Sequence, residues 1–385
     1  LSTGSLAGVR SLYIHWPFCL YRCHFCPFTA LAEHSEYQEK YYQALKKEIL
    51  IYAQQIDKTT LIETMFIGGG TPSICPDALL LDMSVTLYEM FNFSSTCETT
   101  IEINPGSVTA DKLVLYKTMG INRVSFGVQS LNETALQALN RKQYTRDVYS
   151  ALRDATAVFE NISIDLMLGI PGVSPEEWKK EIQEIVTWPI QHVSVYFFTI
   201  HEDTPFYFKA LCAESGIMPD DEITEAYKWT IYELEKHGFY QYEISNFARS
   251  GYESRHNRAY WQRVPYRGFG LGACSFDGQS RVQNEQRLMS YIESLEANVM
   301  PEAYRECLTE QQVWLEMVML GLRQRKGVAL KEIVQSFTDV RKKRFMELVD
   351  LLVNEGMVEV RDSVLSITVQ GLPVAQEIMT KLTSI

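Results

Sequence analysis

The sequence has 385 residues, 46% hydrophobic and 22% charged, a balance that excludes a disordered or fibrous chain and permits a large buried core. Its 36 Lys and Arg against 48 Asp and Glu leave a net charge of −12, which repels polyanions and argues against bulk nucleic-acid or anionic-membrane binding. No apolar run approaches the roughly 20 residues of a membrane span, and the first ten residues lack the apolar stretch of a secretory signal. A cytoplasmic protein is expected, membrane-peripheral only through a partner.

In chain order, short β-rich runs recur at 12–16, 64–67, 100–103, 123–128, 162–168 and 192–198. Helical spacing fills the intervals: Tyr37, Tyr41, Leu45 and Ile49 fall on one face, and Ala151, Ala155 and Val158 on another. Six such units predict a parallel sheet buried on both sides and closed part-way into a (β/α)6 barrel. Ligands in that architecture gather at the C-terminal ends of the strands. A helix is expected at 220–237, after which 242–277 has poor periodicity and many Gly, Asn, aromatic and Arg residues. Helical patterns return at 311–322, 331–337 and 341–355. A hairpin then pairs 357–361 with 364–369 around Asp362 and Ser363, and a last helix runs to Leu382. The expected organisation is therefore α/β: a partial barrel at 10–237, a loop-rich extension at 238–303, and a small helical, winged-helix-like domain at 304–385.

Eight cysteines are too few for a disulfide scaffold at this length, yet Cys19, Cys23 and Cys26 crowd into eight residues and suggest a metal. They follow the first strand as Cys-x3-Cys-x2-Cys. Iron–sulfur cubanes normally take four thiolates, so three leave one iron open to an external ligand. A zinc site completed by His15 or His24, or buried cysteines without metal, fits the spacing too. The run Gly68-Gly69-Gly70-Thr71-Pro72 follows a strand, where glycines let the backbone approach a ligand closely. It lacks the Lys-Ser/Thr ending of a phosphate loop, and a tight βα turn is the plainer reading. Glu102, Gln129, Arg141 and Asp165 lie at or beyond strand ends. Their side chains suit a zwitterion joined to a ribose, with helix-capping the competing role for Arg141 and Asp165.

The cysteine spacing after a strand resembles the radical S-adenosylmethionine (SAM) superfamily. The match goes further. Tyr13-Ile14-His15-x-Pro17-Phe18-Cys19, Phe66-Ile67-Gly68-Gly69-Gly70-Thr71-Pro72-Ser73 and Glu102-x-Asn104-Pro105 resemble the oxygen-independent coproporphyrinogen III oxidase-like family. Ser125-Phe126-Gly127-Val128-Gln129-Ser130, Asn140-Arg141 and Asp165-Leu166-x-x-Gly169-Ile170-Pro171-Gly172 continue the likeness in order. It implies a [4Fe–4S] cluster on Cys19, Cys23 and Cys26. It also implies SAM held by Gly69, Gly70, Thr71, Glu102, Gln129, Arg141 and Asp165, with Tyr13 and Phe25 beside the methionine or adenine. The chemistry it implies is reductive cleavage of SAM to methionine and a hydrogen-abstracting 5′-deoxyadenosyl radical.

Within that family, oxidases carry a fourth cysteine two positions after the third and a long N-terminal extension. Here the position is Phe28, and 18 residues precede Cys19. Both features resemble the heme-chaperone branch, as does His256-Asn257-Arg258-Ala259-Tyr260-Trp261, which fits a His-Asn-x-x-Tyr-Trp motif. The resemblance makes His256 the heme ligand, with Tyr260 and Trp261 packing on the porphyrin and Arg255 and Arg258 beside the propionates. Gly270-Leu271-Gly272-Ala273-Cys274-Ser275 resembles a Gly-x-Gly-Ala-His-Ser stretch with Cys274 in place of His. Pro27 and Trp16 also depart from the pattern without removing a ligand.

The expected function is a heme chaperone with heme as cargo, an acceptor protein that takes it, and a flavodoxin- or ferredoxin-type reductant; a homodimer is compatible. The alternative is oxidative decarboxylation of coproporphyrinogen III. Nucleic-acid binding or RNA modification is a third class, motivated by the wing and by Arg341-Lys342-Lys343-Arg344. Residues 305–385 nevertheless carry 11 basic and 11 acidic side chains, so that run reads as a solvated helix turn and no nucleic acid is expected.

Overall fold

The computed structural model describes residues 8–210 and 216–385. Six strands appear where the apolar runs predict them: β1 (Ser11–Trp16), β2 (Leu61–Gly69), β3 (Asn92–Ile103), β4 (Arg123–Gln129), β5 (Ile162–Leu168) and β6 (His192–Phe197). Each pairs in parallel with the next. They are buried along most of their length because helices cover one face and the barrel interior fills the other. The covering helices are α1 (Gln38–Ala53), α2 (Asp77–Met90), α3 (Ala110–Thr118), α4 (Glu133–Ala138), α5 (Thr145–Thr156), α6 (Pro175–Ile185) and α7 (Asp220–Lys236). Local chemistry sets their starts. Ser174 and Glu177 form a reciprocal capping box with Pro175 at the first position of α6, and Thr109 accepts from the Lys112 amide to start α3.

The stretch read as loop-rich is not irregular, and it extends both edges of the sheet. On the β6 side it adds β7 (Tyr240–Glu243) and β8 (Asn246–Ala248). The chain then forms α8 (Arg255–Trp261) and crosses to the other edge, where β9 (Tyr266–Phe269) pairs in parallel with β1. Three antiparallel strands follow outward: β10 (Cys274–Phe276), β11 (Ser280–Asn284) and β12 (Glu302–Cys307). Among the described residues the sheet order is β12-β11-β10-β9-β1-β2-β3-β4-β5-β6-β8-β7. These added strands are three to six residues long and carry Arg, Gly and Asn, so neither length nor alternation marks them.

A buried carboxylate fixes β9 beside β1. Glu48, on α1 and fully buried, takes an Arg267 Nη2 at 2.8 Å, the Gly270 amide at 2.9 Å, the Asn284 amide at 2.8 Å and the Tyr291 hydroxyl at 2.6 Å. Four elements therefore converge on one charge: α1, β9, β11 and α9 (Leu288–Glu296). Its lone pairs are satisfied, which is the condition for burying it.

At the C-terminal end, α10 (Glu310–Leu322), Leu330–Val334, α11 (Asp339–Asn354) and α12 (Ala375–Thr383) pack with a small sheet. Its strands β13 (Val328–Ala329), β14 (Val358–Arg361) and β15 (Val364–Ile367) are ordered β13-β15-β14. The predicted hairpin is β14–β15. Asp362 and Ser363 have φ of 50° and 63°, the two left-handed residues of the turn that matches strand twist.

Candidate functional site

The C-terminal ends of β1 to β6 open onto a cavity of about 430 Å3. Cys19, Cys23 and Cys26 stand on its wall with Phe25, Gly69, Gly70, Thr71, Glu102, Gln129, Arg141 and Asp165, so the structure gathers all but one of the residues expected around a cluster and SAM. The cysteine loop is held from several sides. Phe18–Cys19 bridges Leu31–Ala32, the Thr71 amide donates to Phe18 O at 2.9 Å, the His24 amide donates to Leu139 O at 2.9 Å, and the Asn140 side chain donates to Arg22 O at 2.8 Å. A Cβ on Gly70 would lie 2.5 Å from Pro17 O and 2.9 Å from Phe18 O; glycine there lets the strand end lie against the cysteine loop.

The donor chemistry fits an iron–sulfur cluster. All three cysteines are free thiols. Burial pushes the Cys19 thiol up to about 11, with the Thr71 hydroxyl 3.3 Å away opposing it, and burial raises Cys26 as well. Thiols so placed stay protonated until a metal takes the proton's place. Cys75 and Cys97 are buried elsewhere, Cys307 is exposed on β12, and Cys212 lies outside the described residues.

Opposite the thiols the pocket is electrostatically incomplete. Burial and the neighbouring Asp165 carboxylate raise the Glu102 carboxyl to about 8, opposed by the Gly69 amide and by Arg123. Asp165 is raised by burial too, against its bonds to Ser194 and Ser125 and the charges of Arg123 and Arg141. No ion pair of either carboxylate occurs among the described residues. Arg141 donates to Gly127 O, to Gln143 Oε1 at 3.2 Å and to Asn104 Oδ1 at 3.4 Å, and its Nη1 lies 3.8 Å from Cys23 Sγ. Its Nε is buried without a partner. A ligand carrying an ammonium, a carboxylate and a diol would complement this set, and SAM has all three. Gln129 reaches the pocket from a strained backbone: its φ is 68°, where the pairing of β4 with β5 slips.

Asn104, Met167, Tyr196 and Phe198 also line the cavity and escaped the reading of single residues. Asn104 belongs to the Glu-x-Asn-Pro motif. Tyr196 and Phe198 end an apolar strand run that looked like core alone.

Two residues lie elsewhere than the resemblance implied. Tyr13 does not line this cavity; it lines a second one beyond Gly69, and its hydroxyl is 3.0 Å from His15 Nδ1. His256 is buried and lines neither cavity. It is 1% exposed, with Nδ1 2.8 Å from Thr64 Oγ1 and Nε2 2.8 Å from the Tyr260 hydroxyl, and its ring lies 5.2 Å from that of Phe66. The segment is the short helix α8, started by Ser254 and by Glu98, whose carboxylate takes the Arg255 and His256 amides at 3.1 and 3.0 Å. His256 thus plugs the barrel and orients Tyr260. Tyr260 and Trp261 do reach a cavity, the second one, of about 470 Å3, which shares Phe28, Gly69 and Glu102 with the first.

Comparison with known proteins agrees with this geometry. Residues 13–185 match the family model described as the radical SAM superfamily, and residues 308–374 match that of the HemN C-terminal domain. A Bacillus subtilis protein named heme chaperone HemW is 33% identical over 96% of this chain and 98% of its own length. A Danio rerio protein named radical S-adenosyl methionine domain-containing protein 1, mitochondrial, is 33% identical over 84% of this chain and 75% of its own. The fold is that of the Escherichia coli coproporphyrinogen III oxidase HemN, with a TM-score of 0.87 at 23% identity, covering 99% of this chain and 92% of that one. The chain is a radical SAM protein and belongs to the family of the HemW proteins.

Proposed function

We propose that the chain is a heme chaperone that binds a [4Fe–4S] cluster, SAM and heme and passes heme to an acceptor protein. The observation that carries this reading is the end-to-end likeness to the Bacillus subtilis heme chaperone, 33% identical over 98% of that protein. The three-cysteine set with Phe28 at the position of an oxidase's fourth cysteine supports it.

Cys19, Cys23 and Cys26 hold the cluster, and Thr71 and Arg141 donate toward the sulfurs of Cys19 and Cys23. The cluster supplies one-electron chemistry and an iron with a free coordination position. Glu102 and Arg141 hold the amino and carboxylate ends of SAM, Asp165 and Gln129 its ribose hydroxyls, and Gly69, Gly70 and Thr71 bring the backbone against it. Phe25, 6.3 Å from Phe198 between ring centres, closes the cysteine side against water. A flavodoxin- or ferredoxin-type protein delivers the electron, the chain works in the cytoplasm, and a homodimer is compatible with the role. Among the described residues no helix is long and apolar enough to cross a membrane.

Anaerobic cluster reconstitution, followed by hemin titration and a coproporphyrinogen III turnover assay in parallel, tests the reading. Stoichiometric heme binding and heme transfer to an apo-acceptor without decarboxylation are expected. Robust decarboxylation overturns it in favour of the oxidase.

A further inference from the structure

The second cavity has its own chemistry. Tyr13, Tyr260, Trp261, Tyr266 and Phe276 give it aromatic walls, with Tyr260 and Tyr266 4.6 Å apart edge to face. Its 470 Å3 falls within the roughly 300–1,000 Å3 of small-molecule and cofactor sites. Two nitrogen or sulfur donors line it. His15 has both ring nitrogens committed, Nδ1 to the Tyr13 hydroxyl at 3.0 Å and Nε2 to Thr29 O at 2.8 Å. Cys274 is exposed, and its sulfur has only a long 4.0 Å contact with Gly272 O. The cavity also carries positive charge. Arg263 and Arg281 share the single carboxylate of Glu316, at 3.0 and 2.8 Å, and Arg263 Nη2 is buried without a partner; the cavity's other carboxyl, Glu102, lies on the side it shares with the first cavity. Flat aromatic walls, one available soft donor and a pair of arginines complement an apolar planar ring bearing a metal and carboxylates.

We propose that this cavity is the seat of the heme cargo, with the Cys274 thiolate as the iron ligand and Arg263 and Arg281 facing the propionates. The inference rests on the heme-chaperone reading and changes its ligand from His256 to Cys274. On binding ferric heme the Cys274 S–H bond breaks and its proton goes to water. The Fe(III)–S bond forms as the aquo ligand of hemin leaves, and no oxidation state changes. His256 acts behind this site, holding Tyr260 in the wall.

Hemin titration of the full, cluster-loaded chain, read by electron paramagnetic resonance and resonance Raman spectroscopy, tests the assignment. Wild type should show a thiolate-ligated ferric heme. Cys274→Ser should lose that signature and bind hemin at least about tenfold more weakly, since removing even a group that supports a ligand costs roughly 10- to 100-fold at a metal site. Cys274→His should restore tight binding with an imidazole-type spectrum. SAM affinity and cluster content, which do not involve Cys274, report folding of the variants. In wild type, hemin should also protect Cys274 but not Cys307 from alkylation. Hemin bound with an unchanged spectrum in Cys274→Ser, or without protection of Cys274, overturns the ligand assignment and leaves the chaperone reading standing. Failure of wild type to bind hemin at all overturns both.

Discussion

SAM binding should weaken as the pH falls below 8, because Glu102 must lose its proton to receive the ligand's ammonium. Burial and the adjacent Asp165 carboxylate hold Glu102 at about 8. Roughly one molecule in ten is then ionised at pH 7 and one in a hundred at pH 6. The apparent Kd should fall about tenfold from pH 6 to 7 and only about two- to threefold from 7 to 8, where the ligand's ammonium begins to titrate. Above about pH 8 the amino group of SAM loses its own proton and the curve turns over. Calorimetry of SAM binding to the anaerobic, cluster-loaded protein in two buffers of different ionisation enthalpy counts the protons directly, and roughly 0.9 should be released per SAM at pH 7. Glu102→Gln should abolish this acid limb. Asp165→Asn should keep it but move it to lower pH, since a repelling negative charge has gone. A Kd constant to within about twofold between pH 6 and 8, with no proton released, refutes the pairing of Glu102 with the ammonium.

Three further outcomes are expected. Replacing Cys19, Cys23 or Cys26 with Ala abolishes the brown chromophore of the reconstituted protein, whereas replacing Cys75, Cys97 or Cys307 leaves it; retention in any of the first three removes that residue from the ligand set. Glu48→Ala strands Arg267 in the core and costs roughly 3–5 kcal/mol in denaturant unfolding, so a loss below about 1 kcal/mol shows that the buried network does not hold β9 in place. His256, lowered to about 3 by burial, stays neutral in the native state while its unfolded counterpart protonates below about 6.5. Its contribution to stability is therefore complete above pH 6.5 and is lost as the pH falls toward 3. Between pH 7 and 5 wild type should lose about 2 kcal/mol more than His256→Asn, read from urea midpoints; parallel losses exclude a buried neutral imidazole.

Much of the barrel was legible because its information is local. The six parallel strands are short runs rich in β-branched and aromatic residues, the capping box of Ser174 and Glu177 is written four residues wide, and Asp362-Ser363 between two β runs spells a tight hairpin. The cysteine spacing pointed to a metal, the family resemblance named the cluster and the SAM residues, and the structure brings all of these except Tyr13 to one cavity. What escaped depends on partners far away in the chain. β9 is Tyr-Arg-Gly-Phe, unremarkable until Glu48 on α1 neutralises its arginine. The His256 segment looked like a ligand-bearing loop between two arginines, but Glu98 caps it from 158 residues away and turns it into a helix with its imidazole inward. The family resemblance put Tyr13 beside SAM, yet side chains alternate along β1 and its ring faces the second cavity.

The position of β1 between β2 and β9 has a consequence for biosynthesis. While the chain emerges from the ribosome, β1 can find β2 early, but its other edge stays open until Tyr266–Phe269 have been made. Until then the nascent barrel exposes an unsatisfied, apolar strand edge of the kind that recruits neighbouring chains. Emergence of β9, and not the completion of the six-strand core, is the event that seals it.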